Sequence, residues 1–73
     1  MTDTEALKKK ILDAGLKQAY LAEQLGLSPY GFAKKLNNVT EFKASEIKIL
    51  CDILHITSLK EKEAIFFKSQ VDK

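Results

Sequence analysis

Cysteine, histidine, proline and glycine are all scarce in this chain of 73 residues, which has one Cys, one His, one Pro and three Gly. The single cysteine, Cys51, has no partner for an internal disulfide, and without a second thiol or a group of histidines it cannot build a zinc site. The scarcity of proline and glycine, together with 45% hydrophobic and 30% charged residues, favours a folded, helix-rich globule. We therefore expect a reducing compartment and neither a metal nor a cofactor.

Long apolar runs are absent as well. No stretch approaches the roughly 18 residues needed to cross a bilayer, and residues 1–10 lack the apolar segment of a signal peptide. A lone His, a lone Cys and dispersed carboxylates give no nucleophile with a base, no paired acid and no phosphate-binding glycine loop. These absences predict a cytoplasmic protein that is not an enzyme. The length allows one domain, which we place at residues 1–68, followed by a flexible tail at residues 69–73.

The apolar periodicity predicts an all-α fold of five helices and no strand. The first helix opens at a capping box formed by Thr2 and Glu5. The fourth runs from about Ala44 to Leu54, and the fifth opens at a second capping box formed by Ser58 and Glu61. The inward stripes are Leu7, Ile11 and Ala14 in the first helix, and Ile47, Leu50, Cys51 and Leu54 in the fourth.

The segment QAYLAEQLGLSPYGFAKKLN, residues 18–37, carries the most informative pattern, because two short helical stripes meet across a turn of a few residues. Gly26 can adopt the positive φ that a sharp turn needs, and Ser28 then caps the next helix, which begins at Pro29. This order predicts a helix-turn-helix formed by helices two and three, whose outward face fits a major groove. The inward residues of helix three are Phe32 and Leu36, and the outward residues are Tyr30, Gly31, Ala33, Lys34 and Lys35.

From Leu7 to Phe67 the chain resembles the small phage repressor and Cro-like helix-turn-helix regulators of the lambda-repressor-like fold. The motifs that carry the resemblance are Gln18 with LAEQLGLS, KLN at residues 35–37 and SEI at residues 45–47. The resemblance implies a compact five-helix domain that regulates a lysis or lysogeny decision in a bacterial host cell. It also implies that the partner is double-stranded operator DNA, bound through helix three.

The resemblance further implies which residues contact DNA. At the position of Gln18 the family uses a glutamine to hold a backbone phosphate, and the positions of Tyr30 and Lys34 reach base edges. Lys34 has donors for guanine O6 and N7, whereas Tyr30 can touch a thymine methyl group or a phosphate. Pro29 and Gly31 would allow close approach of the backbone. Three residues after the helix would contact phosphates on the far side of the groove: Asn38, Thr40 and Lys43.

Several positions depart from the family's pattern. Lys17 and Lys43 stand where relatives place a capping threonine, and each missing cap costs about 1 kcal/mol. Lys35 stands at a position that is usually apolar, so we expect Leu36 to supply the burial there. His55 occupies a position after helix four where relatives often have glycine, which predicts a role in a turn.

Two further partners fit the sequence. One recognition helix reads few base pairs, so operator binding favours two copies on half-sites about 34 Å apart. Phe66 and Phe67 are the candidate contacts of such a homodimer, because consecutive apolar residues cannot all face one buried stripe. The alternative is a modulator of repression or antirepressor, which would bind a phage repressor protein through the same face. The small net charge of +2 and the aromatic Tyr30, beside Lys34 and Lys35, favour this alternative.

Overall fold

Five α-helices and no strand make up residues 1–67, the part of the chain that the computed structural model describes. The all-α prediction and the number of helices are therefore confirmed for these residues, whereas the tail expected at 69–73 lies outside them. The helices are α1 (Thr4–Asp13), α2 (Gln18–Gln24), α3 (Pro29–Leu36), α4 (Ala44–Ile53) and α5 (Leu59–Phe66).

The starts of three helices are set by side-chain caps. Ser28 Oγ accepts a hydrogen bond from the backbone N–H of Gly31 at 3.0 Å, and Ser58 Oγ accepts one from Glu61 at 3.3 Å, as the sequence predicts. The prediction for α1 is wrong, because Asp3 and not Thr2 is the cap. The carboxylate of Asp3 accepts from Ala6 N–H at 3.1 Å, while Thr2 is buried.

Four helices end in the same backbone motif, in which the residue after the C-cap has a positive φ. The φ angles are +71° at Gly15, +72° at Gly26, +59° at Asn38 and +58° at His55. The next N–H in each case bonds back to a carbonyl inside the helix, as when Leu27 donates to Ala22 at 2.9 Å. The turn role expected of His55 is therefore confirmed.

The core lies where the inward stripes of the helices meet, with α2 and α1 each packed against α3, and α1 also against α5. The stripe predicted for α4 is buried throughout, as are Phe32 and Leu36. Ala14, expected on the inward stripe of α1, is exposed because the helix has ended before it and it serves as the C-cap. The largest of the fully buried side chains are Phe32, Leu7, Leu21, Leu36 and Leu50.

Phe42, in the connection between α3 and α4, also belongs to the core. Its ring makes edge contacts with Phe32, at 6.2 Å between centroids, and with Phe66, at 5.9 Å. Aromatic pairs in this arrangement add to the stabilisation from burial alone. This connection, which follows α3, is therefore anchored in the interior.

None of the helices among the described residues combines the length and the apolar character needed to span a membrane.

Candidate functional site

The exposed side of α3 is the candidate site, and its orientation follows from the residues that it buries. Phe32 and Leu36 are only 1% and 2% exposed. At about 100° per residue, these two positions direct the opposite side of the helix to solvent. We call this side the α3 face, and it consists of Pro29, Tyr30, Ala33, Lys34 and Asn37.

Tyr30 dominates the α3 face. Its side chain is 75% exposed, so the expectation that this ring lies outside the core is confirmed. Lys34 lies one turn later, and its Nζ is 5.5 Å from the centroid of the Tyr30 ring. A cation–π contact at such an exposed site is worth about 0.5–1 kcal/mol. The contact holds the ammonium group of the partly exposed Lys34 beside the exposed ring, so that the surface presents the two together.

The last part of the α3 face is joined to α1. Asn37 Nδ2 donates to the carbonyl of Ala33 at 2.9 Å, and Asn37 Oδ1 accepts from Lys8 Nζ at 3.2 Å. Lys8 therefore adds a second cation to this surface. Sequence reasoning assigned neither Lys8 nor Asn37 to the site, because nothing in their local spacing indicates that they meet.

Lys35 does not belong to the α3 face, and the prediction that it faces outward is wrong. Only 9% of the residue is exposed. Its Nζ is 2.7 Å from Glu46 Oε1 and 3.2 Å from the carbonyl oxygen of Glu41. The helical geometry carried a signal for this, since Lys35 is only about 60° from Phe32 around the helix axis.

Glu46 accepts a second hydrogen bond through the same oxygen, from the backbone N–H of Lys43 at 2.8 Å. This bond satisfies one donor before α4, where the side chain of Lys43 has no acceptor to offer. Burial alone would raise the pKa of the Glu46 carboxyl. The hydrogen bonds from Lys35 and from the Lys43 backbone, together with the charges of both lysines, outweigh burial and hold the pKa below its usual value.

The residues predicted to flank the site have different surroundings. Gln18 is the first residue of α2 and is exposed, and the cap before it, Lys17, makes no side-chain capping bond. Thr40 and Lys43 are exposed in and after the α3–α4 connection. Asn38 has a structural role, since it takes the positive φ after α3 and donates from Nδ2 to the carbonyl of Thr2 at 2.9 Å.

The two candidates for a dimer contact differ sharply. Phe66 is 3% exposed and packs on Phe42, so its ring is part of the core and is not available to a second copy. Phe67, in contrast, is 57% exposed. The expectation that one of these aromatic residues lies at the surface is confirmed, and the surface residue is Phe67.

Away from the α3 face, a groove of about 600 Å³ lies between α4 and the start of α5. Cys51 lines it and is nevertheless buried, and burial raises the pKa of its thiol.

Within residues 1–67 no group of three or more His, Cys, Asp or Glu side chains is arranged to hold a metal ion.

Comparison with known proteins gave no match: no family model, no curated protein and no solved structure is similar to this chain at a significant level. A function must therefore be argued from the surface chemistry of the chain.

Proposed function

We propose that this chain is a helix-turn-helix transcriptional regulator that binds operator DNA through the α3 face and is not an enzyme. The observation that carries the proposal is the exposed Tyr30 ring with the Lys34 ammonium beside it. A large aromatic ring that is 75% exposed buries little apolar surface in its own fold, so its chemistry is available to a partner.

The connection between α2 and α3 supports the helix-turn-helix part of the proposal. Only residues 25–28 separate the two helices, and α2 packs against α3. Ala22 is 1% exposed, and its small side chain allows a close approach of the helices. Gly26 makes the sharp turn with a φ of +72°. Local sequence and backbone geometry thus both fit a short turn that presents α3.

The dimensions and chemistry of α3 suit a major groove. An α-helix with its side chains is about 10–12 Å across, which fits a groove about 12 Å wide, and the eight residues of α3 extend about 12 Å along their axis. Lys34 would donate to guanine O6 and N7, and Tyr30 would contact a thymine methyl group or a phosphate. Pro29 and Gly31, on either side of Tyr30 in the first turn of α3, have no long side chains, which would permit close approach of the helix backbone to the DNA.

Phosphate contacts would come from residues around the α3 face. Gln18 at the start of α2 and Thr40 and Lys43 beyond α3 are exposed. Lys8, held by Asn37 at 3.2 Å, supplies one more ammonium group. Such contacts position a domain on DNA, while the residues in the groove read the sequence. A second copy, contacting the first through Phe67, would bind the other half-site.

A titration of duplex DNA tests this proposal. The DNA is the intergenic region beside the gene and a pool selected from random sequences, measured over a range of salt concentrations. Affinity should fall steeply as salt rises, because phosphate contacts release counterions. Lys34→Gln should weaken binding about tenfold, whereas the matched control Lys60→Gln, an exposed lysine on α5, should have little effect. Binding that is flat in salt and equal in both variants would refute it.

The burial of Lys35 favours a second candidate function. It leaves Lys34 as the one cation among the five residues of the α3 face, beside the exposed Tyr30 and Pro29. Tyrosine is enriched in protein interfaces, and a weakly charged face suits a protein partner. The chain would then bind a phage repressor protein as a modulator of repression. Co-purification with such a repressor, lost in Tyr30→Ala, combined with no binding of duplex DNA would select this function.

A further inference from the structure

We propose that Lys35 and Glu46 are positioning residues for the α3 face, and that they hold α3, the α3–α4 connection and the start of α4 in the arrangement that a partner recognises. The inference rests on the proposed function. Neither residue would touch DNA, and both would act through Lys34, Thr40 and Lys43.

One carboxylate oxygen joins the three elements. Glu46 Oε1 accepts from Lys35 Nζ on α3 at 2.7 Å and from Lys43 N–H before α4 at 2.8 Å. The same ammonium group donates to the carbonyl of Glu41 in the connection at 3.2 Å. The side chains of Lys35 and Glu46 are 10% and 8% exposed, so little water competes for these bonds.

The pair controls which residues the chain presents. Lys34 and Lys35 are neighbours, so they lie about 100° apart around α3. The bond that holds Lys35 on the inner side therefore adds to the burial of Phe32 and Leu36 in keeping Lys34 on the outer side, beside Tyr30. In the connection, Lys35 Nζ donates to the carbonyl of Glu41, the residue directly after Thr40. Glu46 accepts from the backbone N–H of Lys43. Thr40 and Lys43, two of the predicted phosphate contacts, thus lie next to or at an atom that the pair holds.

Stability alone is a poor explanation for these two charges. Two apolar residues of similar size in place of a buried ion pair often leave a protein equally stable or more stable, whereas loss of one partner is costly. The helical position of Lys35 beside Phe32 would accept an apolar side chain directly. What an apolar residue cannot supply is the directional bond to the connection.

The experiment compares Lys35→Met, Glu46→Gln and the double variant. Each single variant should be strongly destabilised, because it leaves one buried charge without its partner. The double variant should recover most of the stability, since the amide oxygen that Glu46→Gln introduces can still accept from Lys43 N–H. It should nevertheless bind selected duplex DNA about tenfold more weakly, with a salt dependence reduced by about one phosphate contact. Lys35→Arg should retain most of the affinity.

The control is the double variant Lys48→Met with Asp52→Gln, which removes an exposed ion pair of 3.5 Å on α4. Its affinity should equal that of the wild type. Amide exchange adds a readout without DNA: in the Lys35→Met and Glu46→Gln double variant the amides of residues 39–41 should exchange faster, while those of α1 and α4 stay protected.

The outcomes separate the two ideas. A folded double variant with wild-type affinity, salt dependence and amide exchange would overturn the positioning role while leaving the proposed function intact. A wild-type chain that binds no duplex DNA would overturn the proposed function, and the role in DNA binding with it.

Discussion

Truncation of two aromatic residues, Tyr30 and Phe42, should separate the proposed binding surface from the core. Both stand outside the helical stripes that sequence reasoning assigned to the interior. Tyr30 is 75% exposed and Phe42 is 8% exposed. The same kind of substitution should therefore have opposite consequences at the two positions.

The expected size of each effect follows from the surroundings. Phe42→Ala removes a ring that contacts Phe32 and Phe66, and such truncations cost about 3–5 kcal/mol. A domain of this length has a free energy of unfolding of about 4–11 kcal/mol, so Phe42→Ala should remove a large share of it. Tyr30→Ala loses only the contact with Lys34 at 5.5 Å, which is worth about 1 kcal/mol or less.

Urea unfolding followed by far-ultraviolet circular dichroism measures both effects, which suits a chain without tryptophan. With an m value near 1 kcal/mol/M, Phe42→Ala should lower the midpoint by roughly 3 M or more. Tyr30→Ala should shift it by about 1 M or less and should still weaken binding of DNA about tenfold. Phe42→Leu, which retains most of the buried volume, serves as the milder control.

Two results would refute this reasoning. A loss above about 2 kcal/mol in Tyr30→Ala would mean that the ring stabilises the fold and is not free for a partner. Wild-type stability in Phe42→Ala would mean that the connection between α3 and α4 is not anchored in the core.

Three further predictions concern single groups. His55→Gly should raise the free energy of unfolding by about 1 kcal/mol, because His55 has a φ of +58°, and a lower melting temperature would contradict this. The pKa of the Glu46 carboxyl is lower in the folded state than the ordinary glutamate value of about 4.3. The ionised carboxylate therefore contributes fully to the free energy of unfolding above that ordinary value. The contribution is lost as the pH falls through the lower pKa of the folded state. The free energy of unfolding, measured between about pH 6 and 2 and expressed relative to its value at neutral pH, should therefore fall more steeply in the wild type than in Glu46→Gln. Equal slopes in the two proteins would argue against the Lys35 bond. Burial raises the pKa of the Cys51 thiol, so it should react slowly with an aromatic disulfide reagent at pH 8 and quickly in urea; rapid reaction in the native protein would show that the core opens.

The ends of the helices could be predicted from the sequence because their signals are local. Ser28 needs only the N–H of Gly31, three residues later, to begin α3. Gly26 needs only its own backbone freedom to end α2. Such interactions form between near neighbours whatever the rest of the chain does, so the order of residues was sufficient evidence for them.

The local sequence could not determine which of two adjacent residues caps α1. Thr2 and Asp3 can both cap α1. The backbone N–H of Asp3 donates to the carbonyl of Ile65 at 2.6 Å, and the carbonyl of Thr2 accepts from Asn38 at 2.9 Å. These bonds to α5 and to the end of α3 fix the path of the chain into α1, and they leave Asp3 as the cap.

The composition of the α3 face and its surroundings depended most on contacts between distant parts of the chain. Lys34 and Lys35 are adjacent residues of the same type, yet Lys34 is partly exposed and Lys35 is buried, because Glu46 lies opposite Lys35. Lys8 reaches Asn37 from 29 residues away. Spacing along a helix tells which residues share a side, but the burial of a charge depends on which group the packed helices place against it, and that is a property of the assembled fold.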